Sequence, residues 1–222
     1  MKASWGTAAG LHFLQIDPDF EPDRAPLVIA LHGRGADPTD LAGLAYEISP
    51  ERCRWVLPQG PVEVPLGPEI VGWAWYSRGL ELRSMLLDSR DRLAGLLEEV
   101  AEPDAPEARI ALIGFSQGAA MALHLGLTSP VALAGIAAMS GYLPAAETLD
   151  EIAQPKPPIL MVHGTLDQVL AVDLAREARD RLARSGVATR YLEFPMGHEI
   201  SLDSLAAVGA FLDEVLGLGS AA

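Results

Sequence analysis

Five stretches of this chain run apolar and stop at a glycine. They are APLVIALHG (25–33), RWVLPQG (54–60), RIALIGFSQG (109–118), LAGIAAMSG (133–141) and PPILMVHG (157–164). Continuous apolar runs of this length suit strands buried on both faces, the setting of a parallel sheet. A sixth run, TRYLEFPMG (189–197), alternates more. LHFLQI (11–16) also alternates and reads as an edge strand. Between the runs the period changes. Leu82, Met85, Leu86, Leu93, Leu96, Leu97 and Val100 recur every three or four residues, in a helix that ends near PDAPE (103–107). Residues 117–128 are rich in Ala and Leu. Ala175, Ala178 and Leu182 mark a further helix, ended by Ser185-Gly186. Leu202, Leu205, Val208, Phe211, Leu212 and Val215 mark the last. Strand–helix alternation of this kind predicts an α/β fold: a mostly parallel, doubly wound sheet with helices on both faces.

No repeat and no linker divides the chain. The expectation is one domain over residues 1–222, with its core at 11–216 and a flexible tail at 217–222. Residues 60–80, GPVEVPLGPEIVGWAWYSRGL, form the long irregular stretch. Such loops are often functional, and this one leaves the carboxyl end of a predicted strand, where α/β sheets bind ligands. Trp73, Trp75 and Tyr76 are therefore candidates to line an apolar pocket; covering the core is the equal alternative.

Composition narrows the function classes. The formal net charge is −14, which weighs against nucleic acid as a partner, since phosphate binding needs a basic face. It also weighs against electrostatic attachment to anionic membranes. No apolar run has membrane-spanning length, and the N-terminus lacks the long apolar core of a signal peptide, so a cytoplasmic setting is expected. Cys53 is the only cysteine, which leaves no internal disulfide and no multi-cysteine metal site. Its place beside the strand RWVLP suits a structural role.

Candidate chemistry centres on GFSQG. The pattern G-x-S-x-G is weak alone, but here it lies between a buried run and a helix of small residues, the setting of a nucleophile elbow. Gly114 and Gly118 let strand and helix approach closely. The helix N-terminus then offers free N–H groups to a developing oxyanion. A serine hydroxyl needs a base. Of the five histidines, His12 lies too early, and His124 falls two turns along the helix, as a packing or surface residue. His32 and His163 end strands and are more readily held by backbone hydrogen bonds. His198, in the loop PMGHEIS, can swing over Ser116 and is the best base. Asp167, in HGTLDQVL, leaves the same rim and is the best orienting acid; Asp173 is the weaker rival. Asp37 and Asp40 read as loop and helix-cap residues. The oxyanion donors are expected from the backbone N–H groups of Gln117 and Arg34. The Arg34 side chain either contacts substrate or pairs with a surface acid such as Asp37, and the ion pair is the favoured reading. A histidine base implies activity that fades as acid protonates it.

LHGRGAD, GFSQGAAMAL, HGTLDQVL and FPMGHEIS stand in this order over about residues 26–216. Together they resemble the carboxylesterase/phospholipase family of α/β-hydrolases that includes the acyl-protein thioesterases. HGRGAD is closer to the bacterial esterase branch. The resemblance implies an α/β-hydrolase fold without a separate cap domain. It also implies a Ser116–Asp167–His198 triad, with Arg34 and Gln117 as oxyanion-hole amides, acting without metal or cofactor. The expected substrate is a small-molecule ester or thioester of short to medium acyl chain. The family's cytosolic monomers or dimers make a homodimer an open expectation. The 60–80 stretch does not match the thioesterase lid, so chain-length preference does not transfer. The rival readings are a non-catalytic ligand-binding module on the same fold, or an acyltransferase. A dienelactone-type hydrolase ranks below both because Ser116, not cysteine, holds the nucleophile position.

Overall fold

The apolar runs become the centre of one eight-stranded sheet. The computed structural model describes residues 1–19, 21–48, 52–101, 109–128, 131–144 and 155–219. Its strands are β1 (Lys2–Ala8), β2 (Leu11–Asp17), β3 (Leu27–Leu31), β4 (Arg54–Pro58), β5 (Val62–Pro65), β6 (Val71–Ala74), β7 (Ile110–Phe115), β8 (Gly135–Met139), β9 (Ile159–Gly164) and β10 (Thr189–Phe194). Its helices are α1 (Ala42–Ile48), α2 (Leu82–Val100), α3 (Gln117–Thr128), α4 (Val172–Arg184) and α5 (Leu202–Val215). The large sheet runs β1-β2-β4-β3-β7-β8-β9-β10, and β5-β6 form a separate hairpin. From β4 to β10 every pairing is parallel; β2 is antiparallel to β4 and to β1. This is the α/β-hydrolase fold.

Strand periodicity splits the core into two layers. Leu27, Ile29 and Leu31 of β3 face one cluster with α2, α3 and α4; Val28 and Ala30 face the other with α1 and α5. Helix α3 has no polar face, since every residue from Gln117 to Leu127 is buried. It packs on β7, β8 and α2 at the centre of the first layer.

Two expectations change. LHFLQI is not the edge strand: β1 lies outside it, joined through Ala9 and Gly10, both at positive φ. Those angles suit a tight two-residue hairpin. β1 carried little signal because most of its residues are exposed. Residues 60–80 are also not wholly irregular, because β5 and β6 pair within them. PDAPE, proposed to end the second helix, lies outside the described residues, as do 220–222 of the expected tail; α2 closes at Val100. Among the described residues no helix is long and apolar enough to cross a membrane.

His124 is a core residue, 1% exposed, with no hydrogen-bond partner for either ring nitrogen among the described residues. Burial, and then the charge of Arg90, lower its pKa from 6.5 to about 4. The unfolded chain therefore takes up this proton first as pH falls, and folding stability declines between the two values. The expected loss from this group is ~3 kcal/mol between pH 7 and pH 4. Urea denaturation across that range should show a shallower decline for His124→Met than for the native sequence. An equally steep decline in both would contradict this assignment.

Candidate active site

The carboxyl ends of β3, β7, β9 and β10 meet on one rim. At the end of β7 the chain turns sharply, and Ser116 sits in the left-handed region at φ 55°. The strain is held on both sides. The Ser116 N–H donates to the Met139 carbonyl of β8, and its carbonyl accepts from the Ala120 N–H in α3. Helix α3 can start there because Gly118 lies directly against the carbonyls of Leu31 and His32, where a Cβ would collide. A Cβ at Gly114 would collide in turn with the Gly118 carbonyl.

The loops after β9 and β10 are laced together. Thr165 N–H donates to the Phe194 carbonyl, and Leu166 N–H to Met196. This brings Asp167 under His198. His198 Nδ1 is 2.7 Å from Asp167 Oδ2, and His198 Nε2 is 2.9 Å from Ser116 Oγ. Asp167 Oδ1 accepts from the N–H groups of Val169 and Leu170, each at 2.8 Å. The Asp167 side chain has no solvent exposure. Burial alone would hold its proton on, but the Leu170 and Val169 amides and the His198 ring outweigh burial, so the carboxyl lies below the usual range. Phe115 packs against the His198 ring, centroid to centroid 4.9 Å. His163 Nε2–H donates to the Leu170 carbonyl and so steadies the same loop.

The loop after β3 is clamped from the other side. Gly35 N–H donates to the Trp73 carbonyl at 2.7 Å, and Trp73 N–H donates to Ala36 at 2.9 Å. Gly72 lies so close to the Gly35 carbonyl that no side chain fits between them. The N–H groups of Arg34 and Gln117 have no backbone acceptor among the described residues. A cleft of about 720 Å³ opens over Ser116 and His198, lined also by Arg34, Tyr76, Arg78, Tyr142 and Leu170. Among the described residues no group of three His, Cys, Asp or Glu side chains is placed to hold a metal ion.

The phospholipase/carboxylesterase family model matches residues 20–216. The chain belongs to the phospholipase/carboxylesterase family. It is 33% identical to acyl-protein thioesterase 1 of Neurospora crassa over 186 residues, 75% of each protein. The crystal structure of esterase PE8 superposes with a TM-score of 0.81 at 32% identity, covering 97% of this chain and 100% of that one. A carboxylesterase from Mesorhizobium loti shares the fold with a TM-score of 0.78 at 21% identity, covering 96% of this chain and 99% of that one.

Within this phospholipase/carboxylesterase site the aromatic residues divide. Tyr76 lines the cleft, and its hydroxyl shares a 2.8 Å hydrogen bond with that of Tyr142. Burial, and then Tyr142, push the Tyr76 hydroxyl well above its usual pKa. Trp73 and Trp75, pocket candidates with core covering as the equal alternative, do not line the cleft. Trp73 serves through its backbone as the partner of Gly35 and Ala36. Trp75 is fully buried and donates its indole N–H to the His32 carbonyl at 2.9 Å. The expected Arg34–Asp37 pair is not formed either. Asp37 accepts instead from the N–H and hydroxyl of Thr39. Asp173 lies in α4, exposed and paired with Arg176.

Of two further supports, His32 is held by backbone groups as the sequence suggested, and the Gln117 side chain went unread. His32 bridges the Gly33 carbonyl and the Gly60 N–H, which requires a neutral ring; burial lowers its pKa accordingly. The Gln117 side chain accepts from the Trp75 N–H at 3.0 Å and donates to the Tyr76 carbonyl at 2.7 Å. A polar side chain at a fully buried helix start was the available signal. Gln117→Leu orphans both backbone groups and should destabilise the fold by roughly 2–4 kcal/mol in urea denaturation. A loss below about 0.5 kcal/mol would show that the clamp carries no weight.

Proposed function

We propose that this protein is a serine carboxylesterase that hydrolyses small-molecule esters or thioesters of short to medium acyl groups, in the cytoplasm. The observation that carries the reading is the unbroken hydrogen-bonded line from Ser116 Oγ through the His198 ring to Asp167, lying at the floor of a cleft. The thioesterase and esterase relatives support ester and thioester hydrolysis.

Ser116 Oγ attacks the acyl carbonyl, and its proton passes to His198 Nε2. Asp167 accepts from His198 Nδ1–H, which leaves Nε2 as the base and balances the imidazolium that forms. The Arg34 and Gln117 N–H groups receive the tetrahedral oxyanion. His198 returns the proton to the departing alcohol or thiol. Water, activated by the same ring, then attacks the acyl-Ser116 carbonyl, releasing the carboxylic acid and restoring the serine.

A 4-nitrophenyl ester series from acetyl to lauroyl tests this. Turnover should peak at short or medium chains and fall by about 10³-fold or more in Ser116→Ala, with the fold retained by circular dichroism. Full activity in Ser116→Ala would refute the mechanism.

The pH profile is a second test. Asp167 has a depressed pKa, so its charge is lost only as pH falls through a value below the ordinary 3.8. The carboxylate therefore stays ionised between pH 7 and pH 4 and takes up no proton there. Any fall in log kcat/KM in that window should have a limiting slope no steeper than one. A slope of two would mean that the carboxylate titrates in the same window.

A further inference from the structure

Acids outnumber bases in this chain by 30 to 16. Most arginines accordingly sit against carboxylates. Arg52 meets Asp213 at 2.9 Å, Arg176 meets Glu193 at 2.7 Å, and Arg190 meets Glu214 at 3.0 Å. Arg34 and Arg78 do not. Both are exposed, both line the cleft over Ser116, and neither side chain has a hydrogen bond or ion pair among the described residues. No aspartate or glutamate lines that cleft among the described residues. The nearby Asp167 is buried and already bonded to His198 and two backbone amides. The remaining polar lining consists of neutral hydroxyls, those of Tyr76, Tyr142 and Ser77, beside the catalytic groups. The one cleft wall that borders the nucleophile is thus cationic on a molecule that is strongly anionic elsewhere.

That distribution has a physical consequence. A net charge of −14 repels anions from the surface at large. Two guanidinium groups with no carboxylate in ion-pair contact make the potential at the cleft more positive than over the rest of the surface. Each presents a planar fork that matches a carboxylate or phosphate in two parallel hydrogen bonds. A neutral ester would gain little from this wall.

Resting on the esterase reading above, we propose that Arg34 and Arg78 recognise an anionic group on the substrate, so that the preferred ester carries a carboxylate or phosphate near its scissile bond. Arg34 then has two roles. Its backbone N–H serves the oxyanion, and its side chain selects the substrate. Arg78, just after the Tyr76 segment that Gln117 clamps, supplies the second cation from the facing loop.

The test compares charged and neutral esters of matched size. One pair puts the charge on the leaving group: 3-acetoxybenzoate against its methyl ester. The other puts it on the acyl group: mono-4-nitrophenyl adipate against 4-nitrophenyl hexanoate. 3-Acetoxyphenyl phosphate against its dimethyl ester adds the phosphate arm. Each enzyme serves as its own control through the charged-to-neutral ratio of kcat/KM. In at least one arm that ratio should fall about tenfold in Arg34→Gln/Arg78→Gln, chiefly through KM. It should also fall for the native protein as salt rises from 50 to 500 mM. Arg78→Glu should lower it further than Arg78→Gln. The arm that responds identifies carboxylate or phosphate, and either response supports the proposal. Turnover with the same ratio in every variant would overturn the proposal and leave the esterase reading intact. No turnover of any ester by the native protein would overturn both.

Discussion

The architecture of the site depends on one close approach, that of Gly118 to the carbonyls at the end of β3. A Cβ at that position would push α3 away from the sheet. The contact brings three chain segments to one place: the end of β3 that leads into Arg34, the end of β7 that carries Ser116, and the start of α3 that carries Gln117. The left-handed backbone of Ser116 is the price of that convergence. Its strain is offset by hydrogen bonds to β8 and within α3. α3 is also buried on all sides, so the turn cannot relax by moving the helix outward.

The rest of the site is positioned by lacing rather than by direct packing on the serine. The loops after β9 and β10 bind each other through backbone hydrogen bonds, which sets Asp167 against His198. The β5–β6 hairpin binds the Arg34 loop in the same way. His32, Trp75 and Gln117 tie that hairpin region back to the sheet and to the nucleophile helix. A segment that begins as an irregular excursion in sequence thus becomes the support for the proposed oxyanion loop.

The sequence made the central sheet and the triad candidates legible because their determinants are local. Buried parallel strands need continuous apolar runs, and a serine between glycines at a strand–helix junction has few structural uses. His198 and Asp167 stood out by placement on loops at the same rim, and the structure brings both within hydrogen-bond distance of their partners. What stayed hidden depends on non-local partners. β1 is mostly exposed and has no apolar pattern. The β5–β6 hairpin is too short to announce itself between prolines and glycines. Trp73 and Trp75 looked like pocket residues because aromatic character does not reveal direction; one is buried beneath the rim, and the other acts through its backbone. The freedom of Arg34 from Asp37 is a local exception, since Thr39, two residues along, takes the same carboxylate.

The proposed mechanism passes through a covalent acyl intermediate on Ser116. Mass spectrometry of the intact protein after rapid acid quench with a slowly deacylating ester addresses it directly. A single acyl adduct, mapped by peptide sequencing to Ser116 in GFSQG, is the expected result. Steady turnover with no adduct, or with the acyl group on another residue, would contradict it.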